Sequence, residues 1–168
     1  APLAFDGHVD LDYSPEKLAP WRIAADFDGD LNRLPLRIAV TAPFRAQVDG
    51  IAHTLNSGGR FEGQAQVEDF ALVALGGGDA LGLISGTLDV SVGIDGIKAS
   101  GSLEPAGLQA GAFDVTFDGQ YRARQLQIRD ASVQHPPSGT RFTTNGEVLL
   151  REGGGQQLDL KGEWTSFR

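Results

Sequence analysis

The run Asp26-Phe27-Asp28-Gly29-Asp30 sets carboxylates at alternate positions, a density that invites a calcium-loop reading. An EF-hand loop needs glycine at its sixth position and glutamate at its twelfth. Leu31 and Arg37 stand there instead, so the run does not carry that chemistry. His8, His53 and His135 lie far apart, without the His-x-x-x-His or His-Glu-x-x-His spacing that presents zinc ligands together. His8 falls on a charged strand face and is most simply solvated. A nucleophile elbow needs Gly-x-Ser-x-Gly, but Gly82-Leu83-Ile84-Ser85-Gly86 places its serine one position late, which reads as a strand-edge hydroxyl. Gly76-Gly77-Gly78 lacks the Lys-Ser/Thr of a phosphate-binding loop. With 22 acidic residues on wet faces, carboxylate pairs arise without catalysis. The expectation is therefore a protein that is not an enzyme and holds neither metal nor cofactor.

Composition narrows the class further. The chain has 168 residues, suited to one domain, and 40% of them are apolar, enough to fold. With 14 basic against 22 acidic residues the net charge is −8, which speaks against a nucleic-acid surface. Cysteine is absent, so disulfides and thiolate metal sites are excluded. The longest wholly apolar run, Phe70 to Leu75, is far short of the roughly 20 residues of a membrane-spanning helix. Nothing at Ala1-Pro2-Leu3-Ala4-Phe5 resembles a signal peptide. Both ends adjoin alternating segments, so residues 1–168 read as one β-sheet domain, an internal piece of a longer protein.

The elements that carry these residues follow a period of two. Leu3, Phe5, Val9, Leu11 and Tyr13 alternate with Asp6, His8, Asp10 and Asp12. Successive strand side chains point to opposite faces, so such a segment has one oily and one charged side. The pattern returns at Ile23–Phe27, Leu34–Val40, Phe44–Val48, Ile84–Ile94, Phe113–Tyr121, Leu126–Ile128, Phe142–Leu150 and Leu158–Trp164. Helical spacing is confined to Ser14-Pro15-Glu16-Lys17-Leu18, which Pro20 ends. Ser57-Gly58-Gly59, Gly76-Gly77-Gly78-Asp79, Pro136-Pro137-Ser138-Gly139 and Gly153-Gly154-Gly155 read as connections, and Asp95-Gly96 as a tight hairpin turn. The fold class is all-β, mostly antiparallel, with roughly ten strands.

Glycine also sits inside the strands, where it ordinarily weakens them. Phe5-Asp6-Gly7, Phe27-Asp28-Gly29, Phe61-Glu62-Gly63 and Phe117-Asp118-Gly119 share one frame at uneven intervals, a hairpin-scale repeat that would let a sheet bend strongly. An oily sheet face cannot be left to water. It must meet a second sheet, close into a barrel, or curl around an apolar ligand. The aromatics are scattered along the strands, not gathered in the two girdles of an outer-membrane barrel.

The ending Leu158-Asp159-Leu160-Lys161-Gly162-Glu163-Trp164 resembles the leucine-x-leucine-x-glycine-x-tryptophan signature of the AsmA-like TamB family. Phe61-Glu62-Gly63-Gln64-Ala65, Gly86-Thr87-Leu88-Asp89-Val90, Ala99-Ser100-Gly101-Ser102-Leu103 and Phe117-Asp118-Gly119-Gln120-Tyr121 are similar in style. The resemblance implies a periplasmic segment of a protein anchored in the inner membrane, shaped as a long, curled sheet forming an open hydrophobic trough (a β-taco). It implies phospholipid transport between the inner and outer membranes and a part in outer-membrane protein assembly through an Omp85-type barrel, TamA. The family's membrane anchor and partner-binding end are not recognisable in these residues. On this reading the acyl chains would lie against Phe5, Val9, Leu11, Phe27, Ile38, Val40, Phe44, Val48, Phe61, Val67, Leu88, Val90, Val92, Ile94, Phe113, Val115, Phe117, Leu126, Ile128, Phe142, Val148, Leu158, Leu160 and Trp164. Two alternatives stay open: a closed β-sandwich interaction module, and a holder of outer-membrane β-strand clients that adds them to a sheet edge.

Overall fold

Eleven strands, each hydrogen-bonded to the next in sequence, make one antiparallel sheet in strict chain order that does not close into a barrel. The structure, a computed structural model, describes residues 4–14, 20–54, 58–71, 82–108, 111–122, 125–150 and 156–166. The strands are β1 (Ala4–Tyr13), β2 (Trp21–Asp30), β3 (Arg33–Ala42), β4 (Arg45–His53), β5 (Arg60–Ala71), β6 (Leu83–Gly93), β7 (Gly96–Pro105), β8 (Phe113–Arg122), β9 (Gln125–His135), β10 (Thr140–Leu150) and β11 (Gln156–Thr165). Among the described residues the only helical piece is a 3₁₀ turn at Ala106–Leu108. The Ser14–Leu18 segment beyond Ser14 and the Gly76–Asp79 and Gly153–Gly155 connections lie outside the described residues, as do Ser57 and part of the Phe70–Leu75 run.

Alternation explains most of these strands, and its weak points explain the differences. β5 and β7 carry the same pattern in a muted form, because Gly63, Ala65, Ala99 and Gly101 occupy inward-alternating positions where larger side chains would signal a strand. The β6–β7 hairpin turns at Ile94-Asp95, one position earlier than Asp95-Gly96, with Gly93 opposite Gly96 closing the ladder. Gly96 has φ +126°, a conformation that a side chain would resist, and this fixes the turn's position.

Three bulges interrupt the ladders. One extra residue stands near Thr41 between β2 and β3, one pair is skipped at Glu68-Asp69 on β5, and Arg129 is extra on β9. Asp69 takes φ 52°, and its backbone N–H is caught by the Ser85 hydroxyl at 3.0 Å. Ser85 is thus a brace for this bulge. Arg129 donates to Asp118 at 2.9 Å and to the Asp95 carbonyl at 2.5 Å, tying the β6–β7 turn to β8 and β9. Bulges increase local twist, which a sheet of this width needs.

Candidate functional site

Cross-strand partners in an antiparallel ladder share a face, so the register alone sorts the side chains. One row runs across the whole sheet through Gly7, Phe27, Leu36, Gly50, Gly63, Val90, Ala99, Phe117, Ala131, Thr144 and Gly162. Two residues along each strand lies a second: Val9, Ala25, Ile38, Val48, Ala65, Leu88, Gly101, Val115, Val133, Phe142 and Trp164. Apart from Thr144, every member of both rows is apolar or glycine. At about 4.8 Å per strand, each row follows the sheet for roughly 48 Å.

The remaining sequence-predicted residues fall on the same face. Leu11, Val40, Val67 and Phe113 belong to a row toward one strand end; Phe61, Val92, Ile128 and Leu160 belong to one toward the other. Phe5 lies opposite Gly29, and Leu126, Val148 and Leu158 are consecutive ladder partners. Phe44 stands in the β3–β4 connection, yet its ring packs edge-on to Trp21 and Phe70, with centroids 5.4 and 4.7 Å away. Ile94 is the exception: it is a turn residue, 74% exposed, beyond the end of the ladder. Sequence reasoning passed over Ile97, Leu103 and Val133, which share this face. Val133 is the instructive case. The Arg129 bulge reverses the parity of β9, so extending the Leu126–Ile128 alternation puts Val133 on the wrong side.

In two of the four Phe-x-Gly frames the ring covers the glycine of its own frame, while Gly7 lies under Phe27 and Gly29 under the backbone of Arg33 and the Pro35 ring. A methyl group built on Gly63 would fall 2.8 Å from the Phe61 ring; one on Gly119 would fall 2.6 Å from the Phe117 ring. Gly162 lies likewise under Phe142, Gly7 under Phe27, and Gly50 under Phe61. Each ring lies down across a glycine and covers backbone that has no side chain of its own, as aromatic residues do over sheet glycines. The apolar face is therefore paved by recumbent rings.

No second layer covers this face among the described residues. Among the described residues only Leu34, Ala52 and Ile84 form a buried apolar core, and no large side chain is fully buried. The molecule exposes 11195 Å², against about 8,000 Å² for a compact monomer of 17.8 kDa. Val9, Leu11 and Tyr13 on β1 and Leu160 and Trp164 on β11 are among the most exposed apolar residues, because each edge strand has one neighbour.

The opposite face is polar and ion-paired. Arg37 and Asp49, facing each other on β3 and β4, bond at 2.7 Å, and Gln47 also donates to Asp49. The hydrogen bonds from Arg37 and Gln47 hold the Asp49 carboxyl below its ordinary range. Lys98 and Arg129 flank Asp118. The carboxylates of the Asp26–Asp30 run are spent separately: Asp26 on His8, Asp30 on the backbone N–H groups of Asn32 and Arg33, while Asp28 faces Asp6. Among the described residues no cluster of His, Asp and Glu could hold a metal ion. An open depression of about 980 Å³ gathers the charged side chains of Asp6, His8, Asp26, Asp28, Arg37 and Asp49, with Gly7, Phe27, Pro35, Leu36 and Gly50 also in its lining.

His8 lies 2.6 Å from Asp26 and 3.1 Å from Asp10, so it is engaged with carboxylates and not simply solvated. Its hydrogen bonds to Asp26 and then Asp10 raise its pKa above 6.5. The protonated imidazole is favoured in the folded sheet, so the contribution is complete below pH 6.5 and fades as pH rises through the folded value. A ¹H–¹⁵N titration should find His8 protonated above the pH at which a peptide histidine loses its proton, and Asp26→Asn should move it back. An unchanged midpoint in that variant would refute the assignment.

No family model, curated protein or solved structure matches this chain.

Proposed function

We propose that this chain shelters hydrocarbon along the paved face of its sheet, serving as a periplasmic bridge segment that conducts phospholipid acyl chains between the inner and outer membranes. The observation that carries the reading is the apolar face that crosses all eleven strands, with no covering layer among the described residues. Leaving such a face in water is unfavourable, and moving an acyl chain through water costs about 0.8 kcal/mol per methylene. Each surface relieves the other. A strip without a closed pocket offers many equivalent positions, which suits sliding along the rows more than tight capture. The glycines and alanines between the rings permit the sheet to curl toward this side around a tail, forming a trough, while headgroups remain in solvent. The ion-paired acidic face keeps the outer surface solvated.

The AsmA-like resemblance supports the same reading. It extends the proposal to the whole protein, which would be anchored in the inner membrane, act with an Omp85-type barrel and support outer-membrane protein assembly. Native mass spectrometry of the protein purified from a Gram-negative host tests the lipid reading directly. Phospholipid adducts should be present and should reappear after delipidation and exposure to phospholipid vesicles. A protein without adducts that also leaves a lipophilic dye unbound would overturn it.

A further inference from the structure

On the polar face Arg37 stands opposite Asp49, Arg45 opposite Glu68 and Lys98 opposite Asp118. One row breaks this pattern. At the strand end beside the β2–β3 and β4–β5 connections, Arg33 stands opposite His53, and His53 opposite Arg60. Three basic residues thus follow one another across consecutive strands in a chain of net charge −8. Basic groups set opposite one another gain nothing from the ladder and oppose folding when charged. Two carboxylates stand near. Glu62 lies 2.5 Å from Arg60, and Asp30 accepts the backbone N–H groups of Asn32 and Arg33. Among the described residues no ion pair engages the Arg33 guanidinium.

The row has the spacing of an anion site. Thr54 donates its backbone N–H to the Asn32 carbonyl at 3.0 Å, which ties the two connections into one rim. Neighbouring strands lie about 4.8 Å apart, so Arg33 and Arg60 are set about 10 Å apart with His53 between them. Two guanidinium forks can converge on one tetrahedral anion from either side, with an imidazole N–H beneath it. An open depression of about 330 Å³ continues from Arg60 past Ser91 to Lys98, with Asp95 also in its lining. Leu34, Ala52 and Phe61, the chain neighbours of the three basic residues, belong to the apolar face. A tail lying along the strands over Phe61 would leave its headgroup at this rim, where arginine stems are long enough to bend round to it.

We propose that the Arg33–His53–Arg60 row binds a phosphate group, the phosphodiester of a phospholipid whose tails lie on the apolar face. The anion site stands on the row itself, whereas the phospholipid as its source rests on the function proposed above. Native mass spectrometry of the whole chain, delipidated and then offered equal amounts of dipalmitoylphosphatidylglycerol and dipalmitoylglycerol, tests this. These lipids share their tails and differ in the phosphate headgroup. The ratio of phospholipid to diacylglycerol retained should fall at least about tenfold in the double variant Arg33→Gln, Arg60→Gln, which loses the charge-assisted bonds. Arg45→Gln with Arg141→Gln removes the same charge at the opposite strand ends and should change the ratio less than about twofold. All four arginines are exposed, and an unchanged circular dichroism signal checks that both variants fold. A ratio that the first variant leaves unchanged, or that the second lowers as much, overturns the row while the lipid reading stands. Retention of neither lipid by the wild-type protein overturns the phospholipid source, and inorganic phosphate then judges the row alone. A saturable shift of the His53 resonances, lost in the first variant, identifies a site for free phosphate; no saturable shift overturns the site.

Discussion

Val92→Asp is expected to lower the phospholipid retained by the purified protein at least about tenfold, with the strand signal in circular dichroism unchanged. Val92 lies on β6 between Phe61 and Ile97, on the apolar face, and is 39% exposed. A carboxylate there keeps enough water in the empty sheet to be tolerated. A hydrocarbon tail laid across it would strip that water, and an unpaired charge against hydrocarbon costs several kcal/mol. Phe117→Asp should lose lipid equally and also lose some stability, because the ring paving Gly119 goes with it. Ser91→Asp is the matched control. Ser91, the residue before Val92, lies on the polar face between Glu62 and Lys98, and lipid content should not change. The sandwich alternative predicts otherwise: a charge at Val92 would then enter a packed interior and unfold the chain. Loss of the dichroism signal in both apolar-face variants, or lipid retained by both, would defeat the open-face reading.

The faces were legible in the sequence because strand alternation is a strictly local signal. Phe27, Ile38, Val48, Val90 and Phe117 share a face whatever the strand order, provided that the registers agree. Bulges escaped such reading. Arg129 and Asp69 are unremarkable residues in their windows, and only a partner strand reveals that each is one too many. Weak side chains hid β5 and β7: Gly63 lies under the Phe61 ring, whereas a methyl on Gly101 would meet the Thr87 carbonyl oxygen across the ladder. The Phe-x-Gly frame was visible as a repeat, but its cause is partly nonlocal: Phe27 covers Gly7 on another strand, and Phe142 covers Gly162.

Gly50→Ala should destabilise the sheet by about 2–4 kcal/mol, whereas Gly93→Ala should change stability by less than about 0.5 kcal/mol. Gly50 and Gly63 are direct partners on β4 and β5, and both lie beneath the Phe61 ring. A methyl on Gly50 would meet that ring and also the Glu62 carbonyl oxygen at 2.5 Å. The ring can swing away, losing its contact with the sheet; the carbonyl can yield only if the β4–β5 ladder opens. Gly93 presents the opposite situation, with the nearest atom to an added methyl, Arg60 Cγ, at 3.8 Å. Urea midpoints of the two variants separate the paving account from a general dislike of side chains at strand glycines, which would penalise both alike. Combining Gly50→Ala with Phe61→Leu divides the two obstacles: relief of the ring should recover part of the loss, and the carbonyl contact should keep the remainder. Full recovery would assign the whole penalty to the ring, and no recovery would assign it to the backbone and remove the ring from its paving role.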